Sequence, residues 1–140
     1  IVQQPSPGNH MPFRINHIHI KASDPPKAVE WWTNAFGFKV LSDETRPFGD
    51  RFIRCADSAG FVVVFSNART GETLAAGNAA PHIGLEHLAI EVDDIEAEIK
   101  RLQKLGAKFQ EGPLRAPNGV LFAFLGAPDD VRLELVQLPK

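Results

Sequence analysis

Residues Ile15–Phe38, INHIHIKASDPPKAVEWWTNAFGF, decide the fold because the chain repeats their pattern 70 residues later. With that offset, the segment LEHLAIEVDD at 85–94 falls on INHIHIKASD, and His17 aligns with His87. The same offset aligns FVVVFS at 61–66 with VRLELV at 131–136. The sequence therefore predicts two copies of one structural unit, each opening with a strand that carries a histidine.

The first copy changes its hydrophobic period from that of a strand to that of a helix. Alternation over residues 13–21 predicts a strand with His17 and His19 on one face. Asp24 followed by Pro25 predicts the start of a helix, since an acceptor at the N-cap and a proline in the first turn favour helix initiation. Three more strands are predicted at 38–43, 51–56 and 61–66.

The second copy repeats this order after a segment that has no periodicity. Residues 67–82, rich in alanine, glycine and asparagine, are predicted to link the copies. Asp93 with Glu96 resembles a capping box at the start of the second helix, which is expected to end at Gly106. The predicted strands of this copy are 83–92, 108–110, 119–125 and 131–138.

These elements predict an α+β protein with two tandem βαβββ modules that form a curved mixed sheet around a cavity. The first ten residues, IVQQPSPGNH, are polar and aperiodic, and we attribute them to a cloning vector that precedes a native start at Met11. The predicted boundaries are a tail at 1–10, a first module at 11–66, a linker at 67–82 and a second module at 83–140.

Composition excludes several classes of partner. The formal net charge is −2 and the basic residues are dispersed, which argues against nucleic acid and against an anionic membrane surface. No apolar run approaches the ~20 residues of a membrane span, and the N-terminus lacks the regions of a signal peptide. The single cysteine, Cys55, excludes an internal disulfide and favours the reducing cytoplasm.

Three side chains are candidates for a metal site. His17 and His87 would converge near a pseudo-twofold axis, and Glu134 lies within an apolar strand, where a carboxylate is costly unless it is neutralised. Two imidazoles and one carboxylate form a known catalytic metal arrangement that leaves coordination positions open. The alternative is that each is an ordinary strand residue, with Glu134 paired to Arg132 or Arg54.

The repeated stretches INHIHIKASDPPKAVEWWTNAFGFKV, GLEHLAIEVDDIEAEIKRLQKLGAKF and VRLELVQ resemble the vicinal oxygen chelate superfamily. Its members include glyoxalase I, methylmalonyl-CoA epimerase, extradiol dioxygenases, fosfomycin-resistance enzymes and bleomycin-binding proteins. The resemblance covers residues 13–138 and implies a U-shaped sheet around a metal, in a homodimer. It implies His17, His87 and Glu134 as metal ligands, whereas Val64 occupies the fourth ligand position.

The resemblance implies a metal-dependent lyase or isomerase of the glyoxalase and epimerase type. A divalent ion (Ni, Co, Zn or Mn) would bind vicinal oxygens of a small-molecule substrate and stabilise an enolate. Glu134 is the expected base, and His19 is either a second base or a hydrogen-bonding partner of a ligand or substrate oxygen. Arg132 shares the face of Glu134 and is expected to bind an anionic substrate group. A satisfied or solvated role is the alternative for His19 and Arg132.

Other functions within the superfamily remain open at this point. An Fe(II) extradiol dioxygenase fits a site of two histidines and one glutamate, but the chain has no tyrosine, on which known extradiol enzymes rely. A metal-free binding protein of the bleomycin-resistance type would use the cavity alone, although those proteins usually lack the ligand set. Fosfomycin modification would need a phosphonate-binding cluster of Lys and Arg, which the sequence does not show.

Overall fold

A computed structural model describes residues 13–140, so the predicted tail at 1–10 lies outside the described residues. The element order confirms the α+β class and the repeated βαβββ unit. The first module contains β1 (Ile18–Lys21), α1 (Pro25–Phe36), β2 (Lys39–Thr45), β3 (Arg51–Ala56) and β4 (Val62–Ser66). The second contains β5 (Leu88–Glu91), α2 (Ile95–Lys104), β6 (Lys108–Arg115), β7 (Leu121–Ala127) and β8 (Val131–Gln137).

Each module forms its own four-stranded mixed sheet. The strand orders are β1-β4-β3-β2 and β5-β8-β7-β6, with the first pair of each sheet parallel and the other pairs antiparallel. His19 pairs with Val64 across β1 and β4, and Ala89 pairs with Glu134 across β5 and β8. Both pairs obey the offset of 70, so the repeat in sequence is a repeat in strand register.

Both helices begin at an aspartate that serves as the N-cap. The side chains of Asp24 and Asp94 accept hydrogen bonds from the backbone N–H three residues further on, at 3.3 and 3.1 Å. The second cap is thus Asp94 and not the predicted Asp93, because Asp94 is the residue that aligns with Asp24. No helix among residues 13–140 is long and apolar enough to cross a membrane.

The two helices share one hydrophobic core and contact each other near their C-terminal ends. Trp32 of α1 and Leu102 of α2 are both buried in that core. The Trp31 Nε1 group donates a hydrogen bond to the backbone oxygen of Leu105 at 2.8 Å. Arg101 of α2 donates to backbone oxygens at the end of α1, at 2.6 Å in its shorter bond. The modules are therefore joined through their cores and through these helix ends.

The first strand of each module is shorter than predicted. Hydrogen-bonded pairing begins only at Ile18 and at Leu88, and no strand pairs with residues 13–17 or 83–87 within the described part of the chain. The apolar side chains of these segments are exposed, as for Phe13, which is 87% exposed. Alternation therefore predicted the faces of these strands but not where their hydrogen bonding begins.

Two strands of the second module also differ from their predicted bounds. β6 extends to residue 115 instead of 110, with irregular pairing to β7. β7 lies two residues later than predicted, and a 3₁₀ turn, Pro128–Asp130, joins it to β8.

The burial of Cys55 predicts an inert thiol. The residue lies on β3 with no exposed surface, and burial raises the pKa of its thiol to about 11. At about pH 8, roughly one thiol in a thousand would be the reactive thiolate. We expect a disulfide reagent to label the folded protein very slowly and to label one thiol per chain at once in guanidinium. The variant Ser58→Cys, at an exposed turn, should react rapidly while folded. Rapid labelling of the folded parent protein would contradict this burial.

Candidate functional site

The burial of one face of each first strand directs the polar side chains of that strand to the other face. Ile18 and Ile20 pack against the core, so His19 and Lys21 lie on the opposite side of β1. The corresponding apolar residues of β5 also join the core. Both modules therefore present polar side chains on the face that the helices leave free.

In the second module, a histidine and a carboxylate meet on this face. The Nε2 atom of His87 lies 3.1 Å from Oε2 of Glu134, whose side chain is 18% exposed. Two ligands held at right angles about 2.1 Å from one ion would lie about 3 Å apart, so this spacing suits a shared divalent cation. The ring of Phe124 lies edge-on to the imidazole of His87, with the ring centroids 5.5 Å apart.

The other nitrogen of His87 faces a second carboxylate. His87 Nδ1 lies 3.2 Å from Oε1 of Glu86, and Arg132 Nε donates to the same oxygen at 2.8 Å. The hydrogen bond from His87, followed by that from Arg132, lowers the pKa of the Glu86 carboxyl. Glu86 is therefore held as a carboxylate behind the imidazole.

Arg132 is buried, and its Nε and Nη1 groups donate hydrogen bonds to the protein. Its Nη1 group donates to the backbone oxygen of Ala79 and to Oε1 of Gln110, both at 3.0 Å. Its guanidinium carbon lies 4.0 Å from the centre of the Phe124 ring, at cation–π distance. These contacts bind Arg132 to Glu86, the linker and β6. Its role in binding a substrate anion stays a prediction.

The structure does not bring His17 to the other two candidate ligands. His17 is exposed, and its Nδ1 atom lies 2.8 Å from Oδ1 of Asn16, the residue before it. Among residues 13–140, no group of three or more His, Cys, Asp and Glu side chains could hold a metal ion. One chain therefore contains a pair, His87 and Glu134, and a separate histidine, His17.

His19 belongs to a polar cluster of the first module. Its Nε2 atom lies 2.8 Å from Oγ of Ser66, which also accepts a hydrogen bond from Lys21 Nζ at 3.1 Å. Lys21 donates a second bond to the backbone oxygen of Asn67 at 3.0 Å. Burial, and then the charge of Lys21, lowers the pKa of His19 and favours the neutral imidazole. The rings of His17 and His19 are 6.5 Å apart.

The first module has no carboxylate at the place of Glu134. Val64, which is 1% exposed, takes that place in β4 and pairs with His19 of β1. A valine side chain offers no atom that could bind a metal. The first module can therefore supply a histidine to a metal site but not the matching glutamate.

A cavity of about 850 Å³ lies between the modules. His19, His87 and Arg132 line it, so both polar clusters reach one space. Its remaining walls come from β1, the linker, the segment before β5 and the turn before β8. This volume is in the range of small-molecule sites.

The linker lines this cavity and is attached to both modules. At one end, the backbone N–H of Thr70 donates to the oxygen of Phe48 at 2.9 Å. At the other, Gly77 lies so close to the turn before β8 that a Cβ atom there would be 2.1 Å from the backbone oxygen of Asp129. A glycine is therefore required at 77 by close approach.

Sequence reasoning missed three residues of these clusters. Glu86 carried a signal, since it aligns with Asn16, and both place an oxygen acceptor directly before the strand histidine. Ser66 and Gln110 carried none, because their partners come from other strands and from backbone that only the fold brings near.

Comparison with known proteins identifies the superfamily of this chain. The family model for the Glyoxalase/Bleomycin resistance protein/Dioxygenase superfamily matches residues 14–135. The chain therefore belongs to that superfamily, as its resemblance implied.

Individual relatives are similar to this chain over most of their length. The chain is 26% identical over 131 residues to lactoylglutathione lyase of Neisseria meningitidis, covering 89% of this chain and 91% of that one. A glyoxalase family protein from Bacillus cereus superposes with a TM-score of 0.79 at 15% identity, covering 96% and 100% of the two chains. The Listeria monocytogenes fosfomycin resistance protein FosX, complexed with Mn(II), gives 0.67 at 13% identity, covering 92% and 95%. At these identities, the two structures support the fold alone.

The close approach at Gly77 can be tested by adding one methyl group. We expect Gly77→Ala to destabilise the protein by about 1–3 kcal/mol, because the new Cβ would displace the linker from the turn. The matched control is Gly126→Ala, where a Cβ would make ordinary contacts from 3.5 Å outward. Urea unfolding of both variants checks the difference, and equal midpoints would contradict the attachment of the linker at Gly77.

Proposed function

We propose that this protein is a metal-dependent lyase or isomerase of the glyoxalase type, acting on a small substrate with vicinal oxygens. The observation that carries the proposal is the approach of Glu134 Oε2 to within 3.1 Å of Nε2 of His87, a residue that lines the cavity. The family membership and the lactoylglutathione lyase relatives support the same class of reaction. We also propose that the protein is cytoplasmic, as the single cysteine leads us to expect.

His87, Glu134 and His17 would hold the ion, which we propose to be Ni, Co, Zn or Mn. Such an ion supplies Lewis-acid polarisation of two neighbouring substrate oxygens. Glu134 would remove the proton from the carbon next to the substrate carbonyl, since a carboxylate at the edge of the site can act as a general base. Val64 leaves the first module without a second carboxylate, so His19 is our candidate for a second proton transfer.

His19 would use its free nitrogen for that step. Its Nε2 atom faces the Ser66 hydroxyl, so proton exchange with a substrate falls to Nδ1. Lys21 donates a hydrogen bond to the same hydroxyl and thereby helps to hold Ser66 in place beside His19. Arg132 remains a candidate for substrate binding only through atoms not already held by Glu86, Ala79 and Gln110.

We further propose that the site is completed in a homodimer. His17 is separate from His87 and Glu134 within one chain, and the segments that carry His17 and His87 expose apolar side chains. Phe13 and Ile15 precede His17 and are 87% and 81% exposed. Pairing these segments with a second copy would bury those side chains and would bring a His17 to the pair from another chain.

The carboxylate role is tested by Glu134→Gln, with Glu111→Gln on the exposed edge strand as the control. We expect Glu134→Gln to keep the fold and to lower turnover about 100-fold or more, because the amide cannot accept the proton. Lactoylglutathione, named in the relatives, is the first substrate to assay. Unchanged turnover in Glu134→Gln would show that the base has been misassigned.

The metal is tested by elemental analysis of protein purified without chelator. Ni, Co, Zn or Mn that is bound by the parent and lost in His17→Ala and in His87→Ala supports the proposal. Bound iron would favour the ring-cleaving dioxygenase. If the protein takes up no divalent ion, the proposal of a metal-dependent enzyme is wrong and a metal-free binding protein is favoured.

Completion of the site between chains predicts complementation. His17→Ala and His87→Ala are unfolded together, refolded as an equal mixture, and compared with each variant refolded alone. Mixed dimers would hold one intact site each, so the mixture should bind about one quarter of the parent's metal. A site within one chain would recover none, because every chain then lacks one ligand.

A further inference from the structure

We propose that His82 is a pH-sensitive latch, which as an imidazolium holds residues 80–85 in a closed turn at the wall of the cavity. His82 is the last residue of the linker, and it lines the cavity together with Leu85. A latch at this place would act on the wall of the cavity independently of the metal and of the reaction proposed above.

Both ring nitrogens of His82 face backbone carbonyl oxygens. Nδ1 lies 2.8 Å from the oxygen of Ala80, and Nε2 lies 2.9 Å from the oxygen of Leu85. A carbonyl oxygen can only accept a hydrogen bond, and a neutral imidazole carries a proton on one nitrogen only. The imidazolium is therefore the one state of the ring that donates to both oxygens. Loss of its proton would leave one nitrogen facing a carbonyl oxygen with no proton between them.

The charged groups that face this ring act in opposite directions. The hydrogen bonds to Ala80 and then to Leu85 are the main reason why the pKa of His82 is raised. Desolvation lowers this pKa, the carboxylate of Glu86 raises it, and the guanidinium of Arg132 lowers it. Because Glu86 and Arg132 are paired with each other, their charges oppose one another at the ring. The two carbonyl oxygens therefore dominate the protonation of His82.

The residues that flank the turn are both fixed to the second module by Arg132. Before the turn, the Nη1 group of Arg132 donates to the backbone oxygen of Ala79, and after it the Nε group donates to Glu86. Between these contacts, Ile83 and Leu85 expose their side chains. Deprotonation of the latch would therefore release the middle of the segment while its ends stay attached.

An NMR titration of the histidine rings measures the latch directly. The signal of His82 is identified by its loss in His82→Gln. In the folded protein we expect its titration midpoint to lie above the ordinary histidine pKa of about 6.5, and in urea to fall to that value. The backbone amide signals of residues 83–85 should shift with the same midpoint, because release of the latch frees this part of the chain. A folded-state midpoint at or below the ordinary pKa would overturn the proposal.

Two glycine variants separate the effect of the closed turn from that of the rest of the linker. Gly84 lies inside the turn with a φ of +104°, and Gly71 lies in the linker outside it with a φ of +79°. A Cβ atom at either position would meet nothing within 4 Å, so each alanine strains the local backbone without a clash. We expect Gly84→Ala to open the turn and lower the pKa of His82, and Gly71→Ala to leave that pKa unchanged. The same His82 midpoint in the parent and in both variants would show that the turn does not retain the proton.

The pH dependence of stability provides the second readout. A group whose pKa is raised by folding stabilises the folded state below its unfolded pKa, and this contribution is lost as the pH rises through the folded pKa. The urea midpoint of the parent should therefore exceed that of His82→Gln at about pH 6, and the difference should shrink as the pH rises to about 9. Because the other histidines titrate in both proteins, the difference isolates His82. A difference that stays constant over this range would contradict the latch.

Discussion

The one-sided burial of the first strand in each module is the constraint on which the rest of the structure depends. Ile18 and Ile20 pack in the shared core, and the matching residues of β5 pack against it. Because side chains alternate along a strand, this burial places His19 on the cavity side. A shift of one residue in the register of either strand would turn its polar side chains into the core and its apolar side chains to the other face. The hydrophobic pattern therefore determines the site as well as the fold.

The two modules share this constraint but use the free face differently. The second module carries a carboxylate beside its histidine and a buried arginine that must be paired, since an unpaired charge at that depth is costly. The first module has Val62 and Val64 at those two places, and its polar chemistry lies instead around Ser66. The two modules thus have equivalent backbones, and different residues at a few strand positions give them different chemistry.

Sequence patterns predicted the features that local periodicity controls. They gave the module order, the two helices and the faces of the strands, because burial and capping act through neighbouring residues. They did not show that β1 begins at Ile18, since the start of pairing depends on where β4 lies. They placed Arg132 beside Glu134 correctly on one face, but its partners Ala79 and Gln110 come from distant segments. Alternation assigns a side chain to one face of a sheet, but it does not identify the residues that the side chain contacts there.

The open edges of β1 and β5 connect the fold to the assembly that we propose. Within residues 13–140 each of these strands pairs on one side only, and the segments leading into them expose apolar side chains. Exposed strand edges invite association, and proteins generally cover them or make use of them. Here the exposed segments lead directly to His17 and His87. A dimer contact that covers these edges would therefore also involve the two histidines. The same contact would protect the strand edges and complete the proposed metal site.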